Sequence, residues 1–380
     1  MRFLTALFKE PGHTKTTSVE TDTIMCYDGR KAGVDVHTDD QNKNSPRWQG
    51  IDLLKTICAF LVVIIHAPFP GTVGMYITAL SRISVPIFFM ITGFFYSDVV
   101  QRSREKYQIK KIFLLFAAAN TLSLLAGCCK ALVTGTLQSF LGTLLQFQTF
   151  INFAVWNEPL FGRHIWYLGA ILYTLVIVYF ARKANAVKWL TMLTPVLLIL
   201  SLVFGKYCMV LLGKQIPYLY VRNFLLMGLP YFLIGKLLFE HRKAISDRFT
   251  NGVFIACLLI FSISTLVERY ILVTNRVNAS NDYYISTPFL ACTVFLKFTQ
   301  LRCEKSGAFV GVLSGIGKRY CTWIYLLHPL MIGAADLITG EKLNFLRPVV
   351  TFVLTLAVCI AATKFSEKKR TAPGQDRPGA

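Results

Sequence analysis

Asp52, Lys55 and His66 stand within one apolar run, IDLLKTICAFLVVIIHA, from Ile51 to Ala67. A charge at the centre of a membrane helix costs roughly 2.5 to 3.5 kcal/mol on insertion scales, so ionisable groups there mark a functional site by default. At 100° per residue, Lys55 and His66 fall within about 20° of the same face, and Asp52 within about 60° of both. The two ends of this stripe are roughly 16 Å apart at 1.5 Å per residue. An imidazole titrates near neutral pH and can accept and return a proton. Asp52 is too far along the helix to orient His66, and its i, i+3 spacing pairs it with Lys55 instead.

Four further segments repeat the pattern of polar groups in apolar sequence. In SRISVPIFFMITGFFYS, Arg82 precedes an expected kink at Pro86, and Thr92-Gly93-Phe94 permits close helix approach. His164 and Trp166 lie in RHIWYL, Arg222 and Asn223 in YVRNF, and Tyr325 and His328 in WIYLLHP. Singly, each has an ordinary explanation: the arginines and aromatics as interfacial anchors, His328 as a packing histidine. Together, three histidines on three helices with two arginines converge more than chance placement would give. The cysteines at 26, 58, 128, 129, 208, 257, 292, 303, 321 and 359 form no CxxC pair and no zinc-type spacing, so no metal site is expected. They read as small packing residues. Phosphate-loop, HExxH, GxSxG and kinase signatures are absent.

The elements that must position these groups are membrane helices. The chain is 54% hydrophobic and only 16% charged, with a mean hydropathy of +0.51, whereas a soluble domain is nearer one quarter charged. A net charge of +20 raises the question of a nucleic-acid partner. Lys and Arg fall in short clusters between apolar segments, however, which is the positive-inside pattern, and no nucleic acid is expected. The fold class is therefore all-α, a polytopic transmembrane helix bundle in the lipid bilayer.

Spanning lengths occur at 51–67, 83–100, 110–129, 164–181, 188–205, 222–239, 251–271, 285–300, 320–338 and 347–365, giving about ten spans. With the N-terminus inside, the inner connections QRSREKYQIKK, ARKANAVK, EHRKAISDR, KFTQLRCEKSG and KFSEKKR are all basic, and the connection 68–81 on the outside has no Lys or Arg. An eleventh span at 131–160 would invert the later loops, so that stretch reads as re-entrant or interfacial. Both termini are expected in the cytoplasm of a bacterial-type cell membrane. Residues 1–46 read as a polar, mobile tail without a signal peptide, 47–366 as the membrane domain, and 367–380 as a basic cytoplasmic tail.

The order DLLK…VVIIH, RISVPIFFMITGFF, HIWYL, RNFLLMGLPYFLIG and IYLLHPL resembles the integral-membrane acyltransferase family 3 over about residues 47 to 365. It is similar in particular to the membrane domain that precedes the racemase domain of vancomycin-resistance serine racemases. The family's signature is an Arg and a His separated by ten residues in the first helix, then an Arg and a Ser-Gly-Phe run in the second. His66 matches the histidine, Arg82 the second arginine, and Gly93-Phe94 the end of the run. Lys55 stands where the family has Arg, and Thr92 where it has Ser. Lysine keeps the charge but loses the bidentate fork; threonine keeps the hydroxyl.

The resemblance implies acyl transfer to surface polysaccharide, lipopolysaccharide or a related acceptor. It implies acyl-CoA, acetyl-CoA above all, as co-substrate with no permanently bound cofactor. On that basis Lys55, paired with Asp52, is expected at the donor phosphates, and His66 as general base on an acceptor hydroxyl, with an acyl-histidine as the lesser alternative. Arg82 is expected to stabilise the oxyanion or hold an acidic acceptor. His164, Trp166, Arg222, Asn223, Tyr325 and His328, with Thr92, Gly93 and Phe94, are the pocket and acceptor-facing candidates. The rival reading is a transporter of a small polar substrate such as serine, which suits buried Arg and His groups, although no inverted repeat is visible.

Overall fold

A computed structural model of the chain describes residues 48–144, 146–160, 162–277, 283–301 and 307–371. The expected tail at 1–46 and most of that at 367–380 lie outside the described residues. Every long element among the described residues is a helix, and there is no strand.

The helices are α1 (Gln49–His66), α2 (Gly71–Ser81), α3 (Ser84–Gln101), α4 (Glu105–Val133), α5 (Leu137–Leu144), α6 (Phe147–Trp156), α7 (Trp166–Lys183) and α8 (Val187–Phe204). They continue with α9 (Cys208–Leu212), a π-helical turn at Phe224–Gly228, α10 (Leu229–Glu240), α11 (Arg242–Arg248), α12 (Asn251–Thr274), α13 (Thr287–Gln300), α14 (Ala308–Arg319), α15 (Cys321–Thr339) and α16 (Arg347–Thr371). All ten segments expected to span are helical, but they are not equal. Among the described residues seven helices are long and apolar enough to cross a membrane, or eight if the pair Phe224–Glu240 and Arg242–Arg248, bent by 79°, counts as one span. The count of ten is thus approximate. The helix Thr287–Gln300 has 14 residues, short of the roughly 20 that a bilayer core requires. The 18-residue helix Trp166–Lys183 ends on two cations, Arg182 and Lys183.

Two local expectations are refined. The connection 68–81 is largely helical as α2, and it joins α3 through Arg82 and Ile83 to make one apolar stretch, Gly71–Gln101. Pro86 lies in the first turn of α3 rather than at a mid-helix kink, where its missing N–H leaves no hydrogen bond unmade. The stretch 131–160 holds the end of α4 and two short helices of 8 and 10 residues, neither long enough to span. The last helix continues past position 367 to Thr371.

Helix α1 is the central element, packed by α2, α3, α13, α14, α15 and α16. Such a position explains why its apolar residues Ile51, Leu54, Cys58, Val62 and Val63 are all buried. The crossing of α3 and α10 depends on glycines facing backbone: a Cβ at Gly93 would overlap the carbonyl oxygen of Phe232, and one at Gly235 that of Met90. Small residues of this kind let membrane helices approach until backbones touch. On the other side, Thr56 Oγ1 donates to Leu313 O of α14 at 2.6 Å. Helix α15 runs alongside α1 in the same direction, with Cys321 near Lys55 and His328 near His66. Helix α3 runs the other way, placing Phe94 against Trp48 near the start of α1, with ring centroids 5.2 Å apart.

Candidate active site

The Lys55 end of α1 is held by a buried ion pair. Lys55 Nζ donates to Asp52 Oδ1 at 3.2 Å, and both residues are buried. Removing two charges from water is costly unless they neutralise each other, and the i, i+3 spacing allows that without distorting the helix. Near this end Phe94 sits among Trp48, Phe95, Phe239 and Phe295 in edge-to-face packing. It therefore helps fix the helices rather than lining the region around His66.

At the other end of α1, three imidazoles meet. The His66 ring lies 5.0 Å from that of His328, and His328 lies 6.0 Å from His164. His66 is solvent-exposed. His328 is fully buried. Its Nδ1 faces the carbonyl oxygens of Ile324 at 3.1 Å and Tyr325 at 2.8 Å. Carbonyls only accept, so Nδ1 carries the hydrogen and Nε2 bears a lone pair. That Nε2 is buried with no hydrogen-bond partner among the described residues. Among those residues no group of three or more His, Cys, Asp or Glu side chains could hold a metal ion.

The cationic neighbours follow from the helix ends. Arg82 emerges at the α2–α3 junction and Arg222 just before the π-helical turn, and both act electrostatically on His66. Arg222 Cζ stands 4.2 Å over the Tyr218 ring, a cation–π arrangement that restricts the guanidinium. Asn223 serves the backbone instead, since its Oδ1 accepts from the N–H groups of Leu225 and Leu226, each at 2.9 Å, and it is fully buried. It thereby caps the turn that follows Arg222.

An aromatic wall supports the imidazoles. The Tyr325 hydroxyl donates to the carbonyl oxygen of His164, fixing α15 to the turn before α7. Tyr167 lies 5.6 Å from Tyr325 and 4.7 Å from Phe89, and Trp166 lies 6.3 Å from Phe89. Thr92 Oγ1 donates to Phe88 O at 3.1 Å and also interacts with the Tyr167 hydroxyl. Thus His66, Arg82, His164, Arg222, Tyr325 and His328 come together, Thr92 and Trp166 stand behind them, and Lys55 with Asp52 lies at the opposite end of α1.

Sequence reasoning missed several residues. Tyr167 carried no signal beyond being aromatic in an apolar helix. Asn157, fully buried, accepts from Phe224 N at 2.8 Å and donates to Trp166 O at 3.3 Å, tying the π-helical turn to α7. Its left-handed backbone, φ 52°, at the end of α6 is the Asn C-cap signal. Lys206, Tyr283 and Tyr284, buried in connections near Arg82, belonged to no motif.

A bundle of apolar helices that carries this histidine cluster at the end of its first helix is that of a multi-pass membrane protein, and the family it matches makes it an acyltransferase. The chain belongs to acyltransferase family 3, whose acyltransferase domain matches residues 48–364. It is also similar to an amino-acid racemase of Enterococcus faecalis, 24% identical over 359 aligned residues that cover 86% of this chain and 48% of that protein. The chain thus spans about half the length of that relative. No solved structure matches it.

Proposed function

We propose that the protein transfers an acyl group, acetyl foremost, from cytoplasmic acyl-CoA to a hydroxyl of a surface carbohydrate or glycolipid, with His66 as general base. The observation that carries this reading is the His66–His328 contact at 5.0 Å beside two guanidinium groups. The accessible imidazole takes the proton of the acceptor hydroxyl as the oxygen attacks the thioester carbonyl. Arg82 and Arg222 face the negative charge that develops on the carbonyl oxygen, which is where fixed cations act most strongly. Collapse of that intermediate expels the CoA thiolate, which recovers a proton from the imidazolium. His328, whose Nε2 has no hydrogen-bond partner among the described residues, packs beside His66 as it turns over its proton.

The donor is proposed to enter from the Lys55 end, on the cytoplasmic side with both termini. Arg102 and Arg104, between α3 and α4, and Lys106, in the first turn of α4, attract its phosphates. From Lys55 to His66 the helix rises about 16 Å, a distance suited to an extended pantetheine arm.

The test uses cells deleted for the gene and complemented with wild type or His66→Ala, with ester-linked acyl groups on surface glycans released by mild alkali and quantified. Loss of acyl groups in the deletion strain, restored by wild type alone, is expected. Equal restoration by His66→Ala would remove the general base. Serine uptake by proteoliposomes without acyl-CoA would replace transfer by transport.

A further inference from the structure

The residue after His328 bears on which of its ring nitrogens carries the hydrogen. Pro329 lies inside α15, and a proline has no N–H to donate to the carbonyl one turn back, here that of Tyr325. His328 Nδ1 takes up this open acceptor, standing 2.8 Å from Tyr325 O. The other carbonyl in reach, Ile324 O, lies in line for the ordinary helical bond from His328 N, and it is farther from Nδ1, at 3.1 Å. In a neutral imidazole either nitrogen can carry the hydrogen, and the bond made by one decides the state of the other. The proline thus favours hydrogen on Nδ1 and a lone pair on Nε2.

That lone pair is the unmatched atom of the site. His328 is fully buried, and its Nε2 has no hydrogen-bond partner among the described residues. A buried acceptor without a donor is unfavourable, so one in a native fold calls for an explanation. Because Nδ1 is turned to carbonyls of its own helix, Nε2 points away from them. Two other imidazoles lie nearby, His66 at 5.0 Å and His164 at 6.0 Å between ring centroids. The His164 ring folds over Gly162, where a Cβ would lie 3.0 Å from its Cε1 and 3.3 Å from its Nδ1. Its backbone carbonyl is held by the Tyr325 hydroxyl. His66 is the nearer ring, and it is the exposed last residue of α1, so it has room to turn. Hydrogen bonds of catalytic groups that are long in the free protein commonly tighten once substrate is bound.

We propose that His328 is a positioning residue whose Nε2 accepts an N–H from His66, and that Pro329 sets the tautomer on which this bond depends. This rests on the acyl-transfer reading above and deepens it. With one nitrogen of His66 engaged as donor, the other presents its lone pair to the acceptor hydroxyl. The hydroxyl proton passes to that nitrogen as the oxygen attacks the thioester carbonyl, and the imidazolium returns it to the departing thiolate. The N–H to His328 stays in place throughout. In hydrolase triads a carboxylate orients the histidine; a neutral ring does so here without adding a second buried charge.

The test compares wild type, Pro329→Ala, His328→Gln and the double variant, as purified full chains in nanodiscs and in complemented deletion cells. Nitrogen NMR of isotope-labelled histidine reads the tautomer, and the signals lost in His328→Gln belong to His328. In wild type at neutral pH they should report hydrogen on Nδ1 and none on Nε2. Pro329→Ala restores an N–H that competes for Tyr325 O, so part of the population should move its hydrogen to Nε2. Alkali-released acyl groups on those cells should fall about tenfold, a fraction of what a positioned base contributes. The melting temperature should hold or rise, since a helix gains from losing an interior proline. In the His328→Gln background Pro329→Ala should cost nothing further. Hydrogen on Nε2 of His328 in wild type overturns the proposal, as does Pro329→Ala with wild-type tautomer and acylation. Equal losses from Pro329→Ala in both backgrounds overturn it too, making the proline structural only. If wild type restores no acyl groups to the deletion strain while the tautomers are as expected, the acyl-transfer reading falls and the tautomer assignment stands.

Discussion

His66 and His328 face each other across the α1–α15 contact with ring centroids 5.0 Å apart, one exposed and the other fully buried. The buried ring is fixed by two backbone carbonyls through Nδ1, which leaves Nε2 as its only acceptor. Exposure suits a group that must meet a substrate, and burial suits one that sets the orientation of its partner. Positioned acid–base catalysis contributes about 10² to 10⁴ in rate. His66→Ala is therefore expected to lower acyl transfer by that factor with acyl-CoA affinity kept. His328→Gln should lower kcat less, with little change in donor KM. Steady-state kinetics on purified variants checks both, and a His328→Gln enzyme with wild-type kcat would leave His66 acting without its neighbour.

Lys55 and Asp52 call for a different design, because each stabilises the other. Lys55→Ala removes the ammonium that donates to the buried Asp52 carboxylate, and breaking a buried pair costs about 3 to 5 kcal/mol. Thermal unfolding should therefore show a large loss for Lys55→Ala, and recovery of most of it in the double variant Asp52→Asn with Lys55→Met. Acyl-CoA affinity should stay weak in the double variant and be partly retained in Lys55→Arg. If affinity recovered together with stability, the pair would be structural only.

The stripe on α1 was legible because helical periodicity alone places Lys55 and His66 on one face. The partners at its far end were legible as polar groups in apolar runs, which is why Arg82, His164, Arg222 and His328 could be named. The span count was less so: the helix Thr287–Gln300 shares the composition of a full span but has 14 residues, and only packing against α1, α3 and α12 shows that it is held by protein. Lys206 and Tyr284 were illegible for another reason. They lie in connections far apart in sequence, and their cation–π contact at 4.3 Å arises only once α8 and α12 are in place. Asn223 was legible as a polar residue but not as a cap, since its neighbours form a π-helical turn that no periodicity announces.

Close packing of α3 on α10 gives a stability test independent of chemistry. A methyl at Gly93 would collide with the Phe232 carbonyl, and overpacking costs about 1 to 3 kcal/mol. Gly333 on α15 has nothing within 4 Å of its Cβ direction, and a helical Gly→Ala change there should gain roughly 0.5 to 1 kcal/mol. Melting temperatures in one detergent are expected to fall for Gly93→Ala and hold or rise for Gly333→Ala. Equal melting temperatures would mean that the α3–α10 contact yields without strain.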